Sequence, residues 1–160
     1  MIFVTTGSTK QSSYYTELIS IIDQLIENTR IKDDVIVQAG NSKYRGGNFK
    51  EIFDYTDKIE SYINAADIVI TADGAGTIFS LLKKRKKIIV VDNKFASRYG
   101  APASDFVGGF KESGLLLWCK NVTDIEKYIF LAKNTVFPEY KSPGNTIYEK
   151  IVSSYEDWNS

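Results

Sequence analysis

Residues 67–77 read Asp67-Ile68-Val69-Ile70-Thr71-Ala72-Asp73-Gly74-Ala75-Gly76-Thr77, an apolar run that leads through a glycine-bearing turn into a helix start. The run shows no apolar/polar alternation, so both faces of this central strand need cover, as in a parallel sheet. Helices supply that cover. Short β-rich runs of the same kind stand at 2–5, 35–38, 88–91 and 115–118, and helical patterns are expected at 14–28, 59–66, 77–85 and 105–112. A polar stretch with glycines, 40–48, interrupts all periodicity and reads as a loop.

In the first helix Leu18, Ile21, Ile22, Leu25 and Ile26 follow the spacing of one apolar stripe. Thr123-Asp124-Ile125-Glu126 reads as a capping box with Thr123 as cap, opening a helix to about Lys133. The glycosylation-like triplet Asn121-Val122-Thr123 is assigned to that helix start instead. A last helix is expected after Pro143-Gly144, capped by Asn145, with Ile147, Tyr148, Ile151, Val152 and Tyr155 on its apolar face. Five strands joined by right-handed crossovers give an α/β, Rossmann-like, doubly wound parallel sheet. Ligands in such sheets bind outside the carboxyl ends of the strands. Function is therefore expected in the loops after Thr5, Gln38, Thr71 and Val91.

At 160 residues the chain reads as a single domain, 1–160. Twenty Lys and Arg balance twenty Asp and Glu, which removes the electrostatic case for a nucleic-acid partner. Histidine is absent, so proton transfer falls to other side chains or to another chain, and no metal site is expected. The single cysteine, Cys119, reads as a buried, inert thiol. With no leader-like or membrane-spanning run, a cytoplasmic location is expected.

Two loops offer anion chemistry. Gly7-Ser8-Thr9 follows the first strand, and its backbone N–H groups suit either a phosphate or an ordinary strand-to-helix turn. Gly74-Ala75-Gly76-Thr77 leaves a buried strand and opens a helix, whose N-terminus offers free donors and a partial positive charge. A diphosphate fits there. The spacing is neither a dinucleotide fingerprint nor a P-loop.

Several motifs in order carry a wider resemblance: Ile2-Phe3-Val4-Thr5-Thr6-Gly7-Ser8, Val37-Gln38-Ala39-Gly40-Asn41-Ser42-Lys43-Tyr44, residues 66–71 running into Gly74-Ala75-Gly76-Thr77, and Ile88-Ile89-Val90-Val91. The chain resembles the carboxyl-terminal, donor-binding half of a GT-B glycosyltransferase of family 28. Within that family it is similar to the small subunit of two-part UDP-sugar transferases, such as the dolichol-pathway N-acetylglucosaminyltransferase and bacterial capsule and exopolysaccharide pairs. The resemblance implies a UDP-sugar donor whose diphosphate is held by Gly7, Ser8, Thr9, Gly74, Ala75, Gly76 and Thr77. It also implies a nucleotide and sugar mouth at Gln38, Gly40, Asn41, Tyr44, Phe53, Tyr55 and Asp105, with the backbone at 53–55 meeting the uracil. Tyr44 reads equally as a surface aromatic. No cofactor is implied. A membrane-attached, acceptor-binding subunit is expected as partner, carrying the catalytic base and holding this chain at the cytoplasmic face of a membrane.

The departures from the family pattern are specific. Relatives usually have His-Gly where this chain has Asp73-Gly74, a ribose-binding carboxylate where it has Ser80, and His-Gln or Gln-Gln in the region now read as residues 103–109. Asp105 is the polar survivor there. Asp73 beside a diphosphate would be repulsive, so it is expected to cap the following helix, the alternatives being a divalent cation held against the diphosphate or a site that no longer binds a nucleotide sugar. Lys83-Lys84-Arg85-Lys86-Lys87 reads either as cations at a helix's negative end or as a contact for an anionic surface.

Overall fold

A computed structural model describes residues 1–6, 13–92 and 103–141, together with side chains except at 13, 14 and 103–106. The turn at Gly7-Ser8-Thr9 and the expected last helix, from Asn145 to Tyr155, lie outside the described residues.

In chain order the elements are β1 (Ile2–Thr5), α1 (Ser13–Glu27), β2 (Val35–Gln38), β3 (Glu51–Phe53), α2 (Ile59–Ala65), β4 (Ile68–Thr71), α3 (Ala75–Lys83), β5 (Lys87–Val91), α4 (Ala103–Glu112), β6 (Leu117–Cys119) and α5 (Ile125–Asn134). All strand pairs are parallel, and the order across the sheet is β3-β2-β1-β4-β5-β6. Among the described residues the sheet has six strands rather than the expected five. The addition is β3, three residues at the sheet edge with Glu51 exposed, too short and too polar to stand out in the sequence.

Alternation along the buried strands splits the core in two. Ile2, Val4, Val35, Val37, Ile68, Ile70, Ile89 and Val91 pack with Tyr15, Leu18, Ile19 and Ile22 of α1 and with Ile125 and Ile129 of α5. Phe3, Ile36, Val69, Ile88 and Val90 face the other way, onto Ile63 of α2, Ile78, Leu81 and Leu82 of α3, and Val107 of α4. The period-two side-chain geometry of a strand produces this division, and it explains why β4 could not be amphipathic. Cys119 is buried in the first core; burial pushes its thiol up to about 11, where it stays protonated and donates to the Asn121 carbonyl oxygen at 3.0 Å.

The start of α5 differs from the expected capping box. Asn121, not Thr123, supplies the side-chain oxygen, accepting from the Thr123 N–H at 3.4 Å, and residues 122–124 form a single 3₁₀ turn before α5 begins. The glycosylation-like triplet is thus built into the helix start.

The basic run is spent on helix ends, though mainly those of its neighbours. Lys86 Nζ donates to the Asn64 and Ala66 carbonyl oxygens at the end of α2, at 2.8 and 2.9 Å. Lys87 Nζ does the same at the end of α5, reaching the Ala132 and Lys133 carbonyl oxygens at 2.8 and 3.1 Å. Lys84 pairs with Glu60 at 2.6 Å, and Arg85 pairs with Glu139. Orphan carbonyls at a helix end are among the groups a cation satisfies best. Lys86→Met is accordingly expected to cost about 1–2 kcal/mol, read as a lower urea midpoint, whereas Lys83→Met at the exposed end of α3 should stay within about 0.5 kcal/mol.

Candidate functional site

The strand order reverses between β1 and β4, and the crevice there is where a doubly wound sheet takes its ligands. β1 ends at Thr5, β2 at Gln38 and β4 at Thr71, in one register across the sheet. Gln38 is buried and does not project into solvent: its Oε1 accepts from Thr5 Oγ1 at 2.8 Å. The Gln38 carbonyl oxygen accepts from the Thr6 N–H and, at 3.3 Å, from Thr6 Oγ1. Gln38 therefore locks the ends of β1 and β2 together.

On the other side of the crevice α3 opens at Gly74, which is its N-cap and offers no side chain to cap it. The Gly74 carbonyl oxygen accepts the first helical bond, from the Ile78 N–H at 3.0 Å. The N–H groups of Ala75, Gly76 and Thr77 have no acceptor within the helix, and all three residues are exposed. Among the described residues a Cβ added at Gly76 would meet nothing within 4 Å. This helix start is an open, uncapped donor set with the positive end of the helix behind it, suited to an anion.

Asp73 corrects the expectation that it caps α3. No side-chain cap bond is present, and its Oδ2 is buried without a hydrogen-bond partner. Continuing the β4/β5 register beyond Thr71 and Val90 sets Asp73 level with Asp92. Burial, and then the charge of Asp92, hold the Asp73 carboxyl above the usual carboxylate range. Among the described residues no group of three or more His, Cys, Asp or Glu side chains is placed to hold a metal ion.

The end of the sheet expected to take the nucleotide is built by β2 and β3. Ala39 N–H donates to the Phe53 carbonyl oxygen at 2.8 Å and Gly40 N–H to that of Asp54 at 3.2 Å, so the two strand ends run together past the sheet. Gly40 sits at φ 54, a left-handed conformation that favours glycine. Asn41 Oδ1 accepts from Tyr55 Oη at 3.2 Å, and Tyr55 is 54% exposed. The Phe53 ring turns away, packing on Tyr62 with 5.0 Å between centroids. Tyr44 is committed elsewhere: its hydroxyl donates to Asp23 Oδ2 at 2.9 Å, and that bond holds its proton on, raising its pKa. Asp105 lies in the opening turn of α4, its side chain outside the described part.

Gln38, Gly40, Asn41, Phe53 and Tyr55 therefore gather at one end of the sheet, and Gly74 to Thr77 stand across the switch point. Sequence reasoning passed over Arg45, whose guanidinium donates to the Ser42 and Tyr44 carbonyl oxygens at 2.7 Å and pairs with Asp54 at 2.5 Å. It also passed over Asp23 and Asp92. Asp23 carried a legible signal, since it lies four residues after Ile19 on the buried side of α1, where a carboxylate needs a reason.

Comparison with known proteins bears on this geometry. The crystal structure of the glycosyltransferase SnogD from Streptomyces nogalater superposes with a TM-score of 0.62 at 13% identity, over 82% of this chain and 34% of that one. An NMR solution structure of ALG13 superposes with a TM-score of 0.58 at 18% identity, over 94% of this chain and 93% of that one. At these identities the likeness is one of fold. The UDP-N-acetylglucosamine transferase subunit ALG13 of Debaryomyces hansenii is 36% identical over 61 residues, which make up 38% of this chain and 28% of that protein. The match thus spans well under a third of that relative's length. The family model of the glycosyltransferase family 28 C-terminal domain matches residues 1–129, from β1 into α5 and across every described part of the switch-point site. The chain belongs to the glycosyltransferase family 28 C-terminal domain family.

Proposed function

We propose that this chain is the donor-binding subunit of a two-component glycosyltransferase that moves a sugar from a UDP-sugar to a lipid-linked saccharide acceptor. A membrane-attached partner supplies the acceptor site and the catalytic base. The observation that carries the reading is the uncapped start of α3, with Gly76 open to solvent, facing the paired ends of β1 and β2 in a domain of this family. The diphosphate would take the N–H groups of residues 75–77 together with the turn at Gly7-Ser8-Thr9. The uridine would lie toward Gly40, Asn41 and Tyr55. The description of the D. hansenii relative as a UDP-N-acetylglucosamine transferase subunit supports both the donor class and the division of labour. Among the described residues no helix is long and apolar enough to cross a membrane.

One observation favours a second reading, a binding or regulatory subunit that has kept the fold without catalysis. The Asp73 carboxylate, its buried Oδ2 without a hydrogen-bond partner and level with Asp92, stands beside the donor set where its charge opposes a diphosphate. Calorimetric titration of UDP and UDP-N-acetylglucosamine, with and without a candidate membrane subunit, separates the two. Donor binding by the chain alone, with transfer to a lipid-linked acceptor only when the partner is added, is the expected result. Absence of uridine-nucleotide binding both alone and with the partner would defeat the donor-subunit reading.

A further inference from the structure

The connection from β2 to β3 is a parallel crossover without a helix. Ile36 pairs with Glu51 and Gln38 with Phe53, so residues 39–50 must climb past the end of β2 and return along the whole strand. Backbone that makes such a return outside any helix or sheet needs other partners. Ser42, 2% exposed, supplies one anchor: its Oγ lies 3.0 Å from Thr16 Oγ1 of α1 and accepts from the Tyr44 N–H at 3.3 Å. The second anchor is Asp23, two helical turns further along α1 and about 10 Å from Thr16 along the helix. Asp23 is 6% exposed, and among the described residues no cation pairs with it. Its two oxygens go to the crossover alone, Oδ2 accepting from Tyr44 Oη at 2.9 Å and Oδ1 from the Asn48 N–H at 3.0 Å. The chain between them approaches so closely that a Cβ at Gly46 would lie 2.4 Å from Asp23 Oδ2 and 2.5 Å from the Tyr44 ring.

A buried carboxylate with no cation is a costly way to fill a helix face, where an apolar residue would serve stability better. What it adds is direction. Two attachment points about 10 Å apart fix both the place and the slope of the crossover, and the upper end of that crossover is Gly40-Asn41-Ser42. We infer that Asp23 is a positioning residue, which through Tyr44 and the Asn48 N–H holds Gly40, Asn41 and Ser42 at the carboxyl end of β2 in the geometry that receives the uridine nucleotide. The inference rests on the donor-binding reading for its ligand, and on the contacts of Asp23 for its mechanism.

Two readouts test it together: calorimetric affinity for UDP, and amide hydrogen exchange at Gly40 and Ser42, whose N–H groups bond to Asp54 and Ala39. Asp23→Ala and Gly46→Ala should each weaken UDP binding about tenfold and speed exchange at Gly40 and Ser42 by a similar factor. Asp23→Asn should restore both, because an amide can accept from Asn48 and donate to the Tyr44 oxygen. Gly47→Ala is the control, since among the described residues a Cβ there meets nothing within 4 Å. If Asp23→Ala does not fold, Gly46→Ala and Tyr44→Phe carry the test, the latter removing the hydroxyl with its bonds to Asp23 and Ser20 and almost no volume. Native exchange rates and UDP affinity in folded Gly46→Ala and Tyr44→Phe would overturn the inference. Should the unaltered chain bind no UDP either alone or with the partner, the donor reading falls, and exchange alone decides: faster exchange in the variants upholds the positioning role of Asp23, and unchanged exchange overturns it.

Discussion

Gly76→Leu is expected to leave the chain folded and to weaken UDP binding by at least about 100-fold, the loss of two or three charge-assisted N–H bonds. The separation of the two effects follows from the space around the residue. Among the described residues no atom beyond its own helix and chain neighbours lies within 4 Å of a Cβ at this position, so their packing does not require glycine there. Leucine is also the better helix former, by up to about 1 kcal/mol, so the melting temperature should hold or rise slightly. The space is what a diphosphate would use to reach the free N–H groups at the start of α3, and a leucine side chain would fill it. Calorimetry with UDP, paired with a thermal melt, gives both numbers. A folded variant with native UDP affinity would remove the start of α3 from the donor site.

The parts of this architecture legible in the sequence are those set by local pattern. The continuous apolar runs at 68–71 and 88–91 announced buried parallel strands, and the stripe on α1 announced its core face. Family 28 membership was equally legible, because its motifs are short, ordered and tied to strand ends. What escaped depends on partners distant in the chain. β3 exists because Ala39 and Lys50 bond across to it and to β2, not because Glu51-Ile52-Phe53 is a strong strand sequence. The basic run was read against its own helix, yet its Lys86 and Lys87 serve carbonyls 20 to 46 residues away. Helix ends misled for a related reason. Thr29 at φ 57 and Arg85 at φ 55 take the left-handed position that usually signals itself as glycine, so α1 and α3 end without their common marker. At the candidate site, Gly74 to Thr77 were singled out by the anion chemistry of a helix start and Gly40 by the family resemblance, whereas the contacts of Asp23 and Arg45 belong to a crossover that no periodicity describes.

Asp73→Asn is expected to tighten UDP binding about fivefold at neutral pH and to make the affinity less dependent on pH. Two unit charges about 8 Å apart at an effective dielectric near 40 repel by about 1 kcal/mol, roughly fivefold in affinity, and the substitution removes one of them. The sign of the pH effect follows from burial and Asp92, which hold the Asp73 carboxyl above its usual value of 3.8 in the folded chain. Below 3.8 the group is neutral in folded and unfolded chains alike and makes no difference. As pH rises past that value the unfolded chain releases the proton first, so Asp73 takes stability away from the fold until its own raised pKa is passed. The melting-temperature advantage of Asp73→Asn should therefore start near zero in acid and grow with pH. Affinity follows the same direction, because an anionic ligand favours the neutral carboxyl and loses it as pH climbs. The diphosphate's own ionisation is common to both proteins and cancels in their ratio, which is the quantity to plot. With capping excluded by the geometry at Gly74, a bound cation is the remaining way for Asp73 to favour the donor. A loss of affinity in Asp73→Asn that appears only with magnesium present would assign the carboxylate that role and reverse the prediction.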